Sequence, residues 1–263
     1  FLSRGLVRTG TAVSDTHNAF TSPSGYGRTF VKLGVDTVDR FDGAAMTAAL
    51  KAHRAVGSNG PFLTVTAQKL DGAGTPTGPV AQVGDTVSIA SGDKVRLFVD
   101  VQAPEWMKFD RLELFTHAEG REAWNGDGNG KFPTAAQSKS LDPMALPVEA
   151  VPGLNGFSAR KVHVTHTFDV QPAADAWFVV MVRSTGAVPD MQGLMFRGGC
   201  NATSCNQGSG RAAAFANPIF VDADGSGAYD TFALKQGLTV RAPPRPAALP
   251  PRALHVPPTL DEA

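Results

Sequence analysis

The sequence predicts a mainly β fold. An antiparallel, Ig-like β-sandwich is expected over residues 69–240. A short mixed α/β segment over 1–66 precedes it, and an extended proline-rich tail over 241–263 follows. Three observations carry this expectation. From about residue 69 onward, short apolar runs alternate with polar residues and are separated by turn signals, the pattern of sandwich strands. The 28 glycines and 19 prolines in 263 residues supply those turns. Helical periodicity is confined to one stretch near the start.

The elements follow in order. Arg28 to Val35 reads as a strand. Asp42 to Val56 places Ala45, Met46, Ala49, Leu50 and His53 at helical spacing. Asp39 or Asp42 can cap its start, and Gly57 stands where a helix-ending glycine belongs. Gly60-Pro61 breaks the chain before a strand over Phe62 to Ala67. Further strands are expected at Thr86–Ile89, Lys94–Val101, Arg111–Thr116 and Lys161–Val170. Trp177 to Arg183 is a continuous apolar run, which predicts a central strand buried on both faces. Phe232 to Val240 closes the set. Residues 125–130 and 186–211 read as Gly-rich loops, and the prolines after Arg241 exclude both helix and paired strand there.

Composition narrows the functional classes. The formal net charge is zero, 18% of residues are charged, and no basic block occurs. That argues against nucleic acid as a partner, because such binding rests on phosphate neutralisation. No stretch approaches the ~20 apolar residues of a membrane span. Two cysteines, Cys200 and Cys205, are too few for a four-cysteine zinc site. A local disulfide is the simpler reading and points to a secreted, periplasmic or cell-surface protein. The alternative is two free thiols in a Gly-rich loop. Phe1 is not a methionine, and the first ten residues lack the apolar core of a signal peptide. The chain therefore reads as a processed or truncated product, the C-terminal portion of something longer.

The sharpest chemical motif is Ser14-Asp15-Thr16-His17-Asn18, which follows a short strand candidate over Val7 to Val13. Strand positions two apart share a face, so Asp15 and His17 present a carboxylate beside an imidazole. That is half a site for Zn²⁺, Mn²⁺ or Fe. On the motif alone, a solvated turn is the plain alternative. The wider context adds Gly10-Thr-Ala-Val-Ser-Asp-Thr-His-Asn18, Gly25-Tyr-Gly-Arg-Thr-Phe-Val31 and the helix over 42–56. It continues with Ser58-Asn-Gly-Pro-Phe62, Ala176-Trp-Phe-Val-Val180 and Asn217-Pro-Ile-Phe-Val-Asp-Ala-Asp-Gly225. In this order the segments resemble the C-terminal end of the polymerase-and-histidinol-phosphatase (PHP) superfamily of metal-dependent hydrolases, in its secreted branch with a trailing β-domain.

The resemblance implies that residues 1–66 are the C-terminal remnant of a distorted (β/α)7 barrel with metals at the ends of its strands. It implies that Asp15 and His17 are the last two metal ligands. The remaining ligands in that family are a His-x-His, an acidic residue and further histidines on earlier strands. Only fourteen residues precede Asp15, and His53, His117, His163, His166 and His255 do not replace them. A catalytic metal site usually needs three protein ligands. The site is thus expected to need a missing N-terminal barrel portion or another chain, and this chain is not expected to be active alone. With metal bound, a coordinated water would reach a pKa of about 7 and attack a phosphoester or similar ester. Arg28 would meet an anionic substrate group through its guanidinium fork; as a bare residue it reads as a surface strand position.

A second constellation is Asp222-Ala-Asp224-Gly-Ser226-Gly-Ala-Tyr-Asp230. Its oxygen ligands at loop positions 1, 3, 5 and 9, with Gly227 at 6, resemble the start of a calcium loop. Ala233 stands where the bidentate glutamate belongs, and a plain Asp/Gly-rich turn is the competing reading. Asn125-Gly-Asp-Gly-Asn-Gly is a fainter calcium candidate. Trp106 and Trp124 are the tryptophans placed for a sugar platform, and Trp177 reads as core. The rival to a hydrolase fragment is a non-catalytic β-sandwich that serves as a binding or structural module of a secreted protein.

Overall fold

A computed structural model describes residues 2, 7–13, 27–35, 37–116, 135–151, 159–185 and 212–230. Asp15, His17, Cys200, Cys205, the strand expected over 232–240, the loops at 125–130 and 186–211, and the tail lie outside the described residues. The fold is mainly β, as expected, and consists of two sheets packed face to face.

The elements are β1 (Arg28–Val31), α1 (Gly43–Lys51), β2 (Ala55–Ser58), β3 (Phe62–Leu70), β4 (Pro76–Gln82), β5 (Thr86–Ser88), β6 (Lys94–Pro104) and β7 (Arg111–Thr116). They continue with β8 (Gln137–Ser140), β9 (Val148–Val151), β10 (Ala159–Val170), β11 (Ala176–Arg183), β12 (Ala213–Ala216) and β13 (Ile219–Asp222). The first sheet runs β4-β3-β6-β10-β9, with every pair antiparallel. The second centres on β11. Strand β7 pairs along one of its edges and carries β8 beyond it. Strands β12 and β13 lie end to end along the other edge. Beyond them, β12 pairs with β2 and then β1, while β13 pairs with β5 in a parallel ladder.

Strand alternation builds the core. On β6, Val95, Leu97, Val99, Val101 and Ala103 are buried, and the residues between them are half-buried. They join Leu112 and Leu114 of β7 and Phe178, Val180 and Val182 of β11 in one cluster. Each large apolar side chain so buried is worth roughly 1.5–3 kcal/mol. The β11 run is central as expected, but its outward residues, Trp177 among them, are half-buried rather than core.

Three sequence expectations shift. The helix is shorter than 42–56. Asp42 caps it, accepting from the Ala44 amide at 2.9 Å, but it ends at Lys51. His53, not Gly57, takes the left-handed position that closes it, with φ of 59°. The residues from Ala55 onward leave the helix because they pair with β1 and β12. The strand at 28 ends at Val31. Strand β3 runs to Leu70, through the boundary expected at 66–69, and strands from both sides of that boundary share both sheets.

Candidate metal centre

The approach to Asp15 and His17 is held from three directions. Strands β12 and β13 are one line of chain interrupted at Asn217-Pro218, where proline cannot donate to a ladder. Asn217 is 3% exposed and fills the gap with its carboxamide. Its Oδ1 accepts from the Gly10 amide at 2.6 Å, and its Nδ2 donates to the carbonyls of Gly10 at 2.9 Å and Ala55 at 2.8 Å. The side chain thus pairs with Gly10 as a neighbouring peptide group would. Next, the Thr29 hydroxyl accepts from the Ala12 amide and donates to the Ala12 carbonyl, both at 2.9 Å. Finally, Gly27 lies so close to Val13 that a Cβ there would meet the Val13 carbonyl oxygen at 2.5 Å. Residues 13 and 27 therefore bring the two stems of the 14–26 segment together.

Thr9 secures the start of the same segment. Its hydroxyl donates to the Leu50 carbonyl and lies 2.8 Å from His53 Nδ1. The hydroxyl proton is committed to Leu50, so the ring nitrogen serves as donor and carries a proton. Burial holds the His53 pKa below its ordinary value. Arg28 is exposed at the start of β1, and alternation turns it to the face opposite Thr29.

The second constellation is rearranged relative to its sequence reading. Asp222 is fully buried and acts as an internal brace. Its Oδ1 accepts from the amides of Gly225 (2.9 Å) and Ser226 (3.2 Å), and its Oδ2 from Gly227 (2.9 Å). Gly225 and Gly227 have φ of 77° and 84°, which lets the loop fold over that carboxylate. The Ser226 hydroxyl donates to the Ala228 carbonyl at 2.9 Å. Asp224 and Asp230 instead converge with Asp175, their carboxylate oxygens lying within 4.8 Å of one another. Among the described residues this is the one group of three His, Cys, Asp or Glu side chains close enough to hold a metal ion. An all-oxygen set suits Ca²⁺ or Mg²⁺ rather than Zn²⁺.

Asp175 also braces the loop, accepting from the amides of Ala223 and Asp230 at 2.9 Å each. Sequence spacing could not find it, because it lies in a different turn. The signal is the strand register: Ala176 pairs with Val221, so Asp175, just before β11, stands beside the end of β13 where the loop begins.

The other histidines are engaged elsewhere. His163 and His166 point to opposite faces of β10, as expected. His163 contacts Asp100, whereas His166 meets Phe168 edge-on at 4.7 Å. Trp106 is 48% exposed. Trp124 lies outside the described residues. No helix among the described residues is long and apolar enough to cross a membrane. No protein-family model, curated protein or solved structure matches this chain.

Proposed function

We infer that this chain is the C-terminal part of a PHP-like, metal-dependent phosphoesterase, acting with a preceding barrel portion or another chain. In this reading the Ig-like sandwich is an accessory domain of a secreted, periplasmic or cell-surface protein. Asp15 and His17 supply the last ligands to Zn, Mn or Fe. That metal, when bound, supplies an activated water. Arg28 receives the anionic group of the substrate, and a calcium ion at the Asp224–Asp230 loop staples the trailing domain. The observation that carries the reading is the fixing of the residues that flank the segment bearing the Asp-x-His motif. Asn217, Thr29 and Gly27 fix both of its stems, as a ligand-bearing segment requires.

A second reading, a non-catalytic binding or structural module, draws support from a different fact. Strands β1 and β2 are integral to the sandwich sheet and do not form a separate unit. Metal content separates the two. The protein is purified without chelator and measured by mass spectrometry beside an Asp15→Ala/His17→Ala variant. Stoichiometric Zn, Mn or Fe that disappears in the variant, with phosphoesterase activity following the metal, supports the hydrolase reading. Metal absent from both proteins overturns an assembled site in this chain. Glycan binding lost in Trp106→Ala would then favour the module.

A further inference from the structure

On the outer face of the five-stranded sheet, five side chains from three strands close a ring of hydrogen bonds. His163 Nε2 lies 2.7 Å from Asp100 Oδ2, and His163 Nδ1 lies 3.0 Å from Glu149 Oε1. Lys161 Nζ reaches the same Glu149 oxygen at 2.9 Å and Gln102 Oε1 at 2.7 Å. Gln102 Nε2 returns to Asp100 Oδ1 at 3.2 Å. The charged groups that face the imidazole are therefore Asp100 from β6, Glu149 from β9 and Lys161 from β10 itself.

Both ring nitrogens of His163 face carboxylates. An ionised carboxylate only accepts, so each nitrogen must donate, and only the imidazolium has two N–H groups. With the proton in place the quartet is neutral. Without it, one nitrogen turns a lone pair toward a carboxylate, and the quartet carries one uncompensated negative charge. The contact to Asp100 is the shorter, so the Glu149 contact is the one lost.

Glu149 stands on the strand least able to lose it. Strand β9 has four residues and, among the described residues, ends the sheet and pairs with β10 alone. Glu149 and Ala150 are exposed, and Val148 and Val151 are only half-buried. The His163 amide donates to the Pro147 carbonyl at 3.1 Å, extending the ladder by one bond. We propose that His163 is a pH-sensitive latch: protonated, it clamps β9 to the sheet through Glu149, and on losing its proton it leaves Glu149 to Lys161 alone and loosens that strand on the edge of β10.

The direction of the titration agrees. The hydrogen bond that His163 donates to Asp100 raises its pKa above the ordinary 6.5; burial, the next largest effect, opposes it, and the charges of Asp100 and Glu149 and the Glu149 hydrogen bond add to the rise. A raised folded-state pKa means that the stabilisation is complete below pH 6.5 and is lost as pH rises through the folded value. The latch is therefore closed below pH 6.5 and opens as pH rises through the raised value.

The test is imidazole ¹⁵N titration together with hydrogen exchange of the His163 amide, corrected for intrinsic rate, on the full chain between pH 5.5 and 9. The imidazole should titrate above 6.5. Amide protection should fall roughly two- to fivefold across the same pH range, the worth of an exposed ion pair. In Glu149→Gln the step should vanish, because an amide can turn to accept from or donate to either form of the ring. Titration at or below 6.5, flat protection while the imidazole titrates, or a step that persists in Glu149→Gln would each overturn the proposal.

Discussion

Asn217→Ala tests how firmly Gly10, on the approach to Asp15 and His17, is docked. The substitution deletes three hydrogen bonds at a site 3% exposed, those to the Gly10 amide, the Gly10 carbonyl and the Ala55 carbonyl. Each is worth about 1 kcal/mol net, and a buried group left unpaired costs more. One loss is softened, because the Ala55 carbonyl keeps the Asn217 backbone amide at 3.2 Å. The expected destabilisation is about 2 kcal/mol, which for a chain of this size lowers Tm by about 4–8 °C. Asn217→Asp should be worse, since a carboxylate cannot donate to the two carbonyls and is buried against them. Thermal denaturation by circular dichroism gives the global effect. Limited proteolysis gives the local one, with new cleavage expected within residues 7–26. A Tm within about 1 °C of wild type, with an unchanged cleavage pattern, would refute the docking role.

Three further predictions concern carboxylates. Asp222→Ala strips the acceptor from three amides around a fully buried side chain and should cost about 3 kcal/mol, read from a thermal melt. Asp224→Asn should change the cation-free Tm little, as exposed substitutions do. It should abolish the rise that calcium gives the wild type, about 2.7 kcal/mol at a hundredfold excess over Kd; equal rises in both proteins would remove Asp224 from the site. The third carboxylate, Asp169, forms a two-point pair with Arg96 at 2.6 and 2.7 Å, which holds its pKa below the ordinary 3.8. Its contribution is present above that value and is lost as pH falls through the depressed one. Asp169→Asn should therefore melt below wild type at neutral pH, with the gap closing in acid; a gap that stays constant from pH 7 to pH 2 would contradict the sign.

The parts legible in the sequence are those where one strand carries its own signal. Alternation in Lys94–Val101, Arg111–Thr116 and Lys161–Val170 is imposed by a sheet with one face on the core, and β6, β7 and β10 lie there. The strands that escaped notice lack that signal for identifiable reasons. Strand β4 is an edge strand with prolines at 76 and 79 and a left-handed Gly78, a sequence that resists pairing on its free side. Strand β12 is Ala-Ala-Phe-Ala, whose small side chains have little strand preference. Its place is set instead by pairing with β2 on one side and β11 on the other. At the metal candidates the limit was the reverse. Asp222 and Ser226 have the right spacing and residue types, yet backbone amides and carbonyls have prior claim on them. Asp175 has no local signal and enters through the β11–β13 register.

The interruption at Asn217-Pro218 connects these observations. A continuous strand there would pair with β11 throughout and leave no acceptor or donor for a further segment. The break divides the line so that β12 turns to β2 and β13 to β5, and the free carboxamide of Asn217 captures Gly10 in the gap. Phe215, two residues earlier, closes over that contact. A Cβ on Gly10 would meet its ring at 2.8 Å, and one on Gly57 would collide with it. Glycine is thus required at both positions by close approach rather than by backbone conformation. The residues around 215–218 organise the second sheet and fix the chain four residues before Ser14 in a single device. Residues 10–13 are therefore mechanically coupled to the sandwich. A change that loosens Asn217 should release Gly10 and the residues up to Val13 from the sandwich.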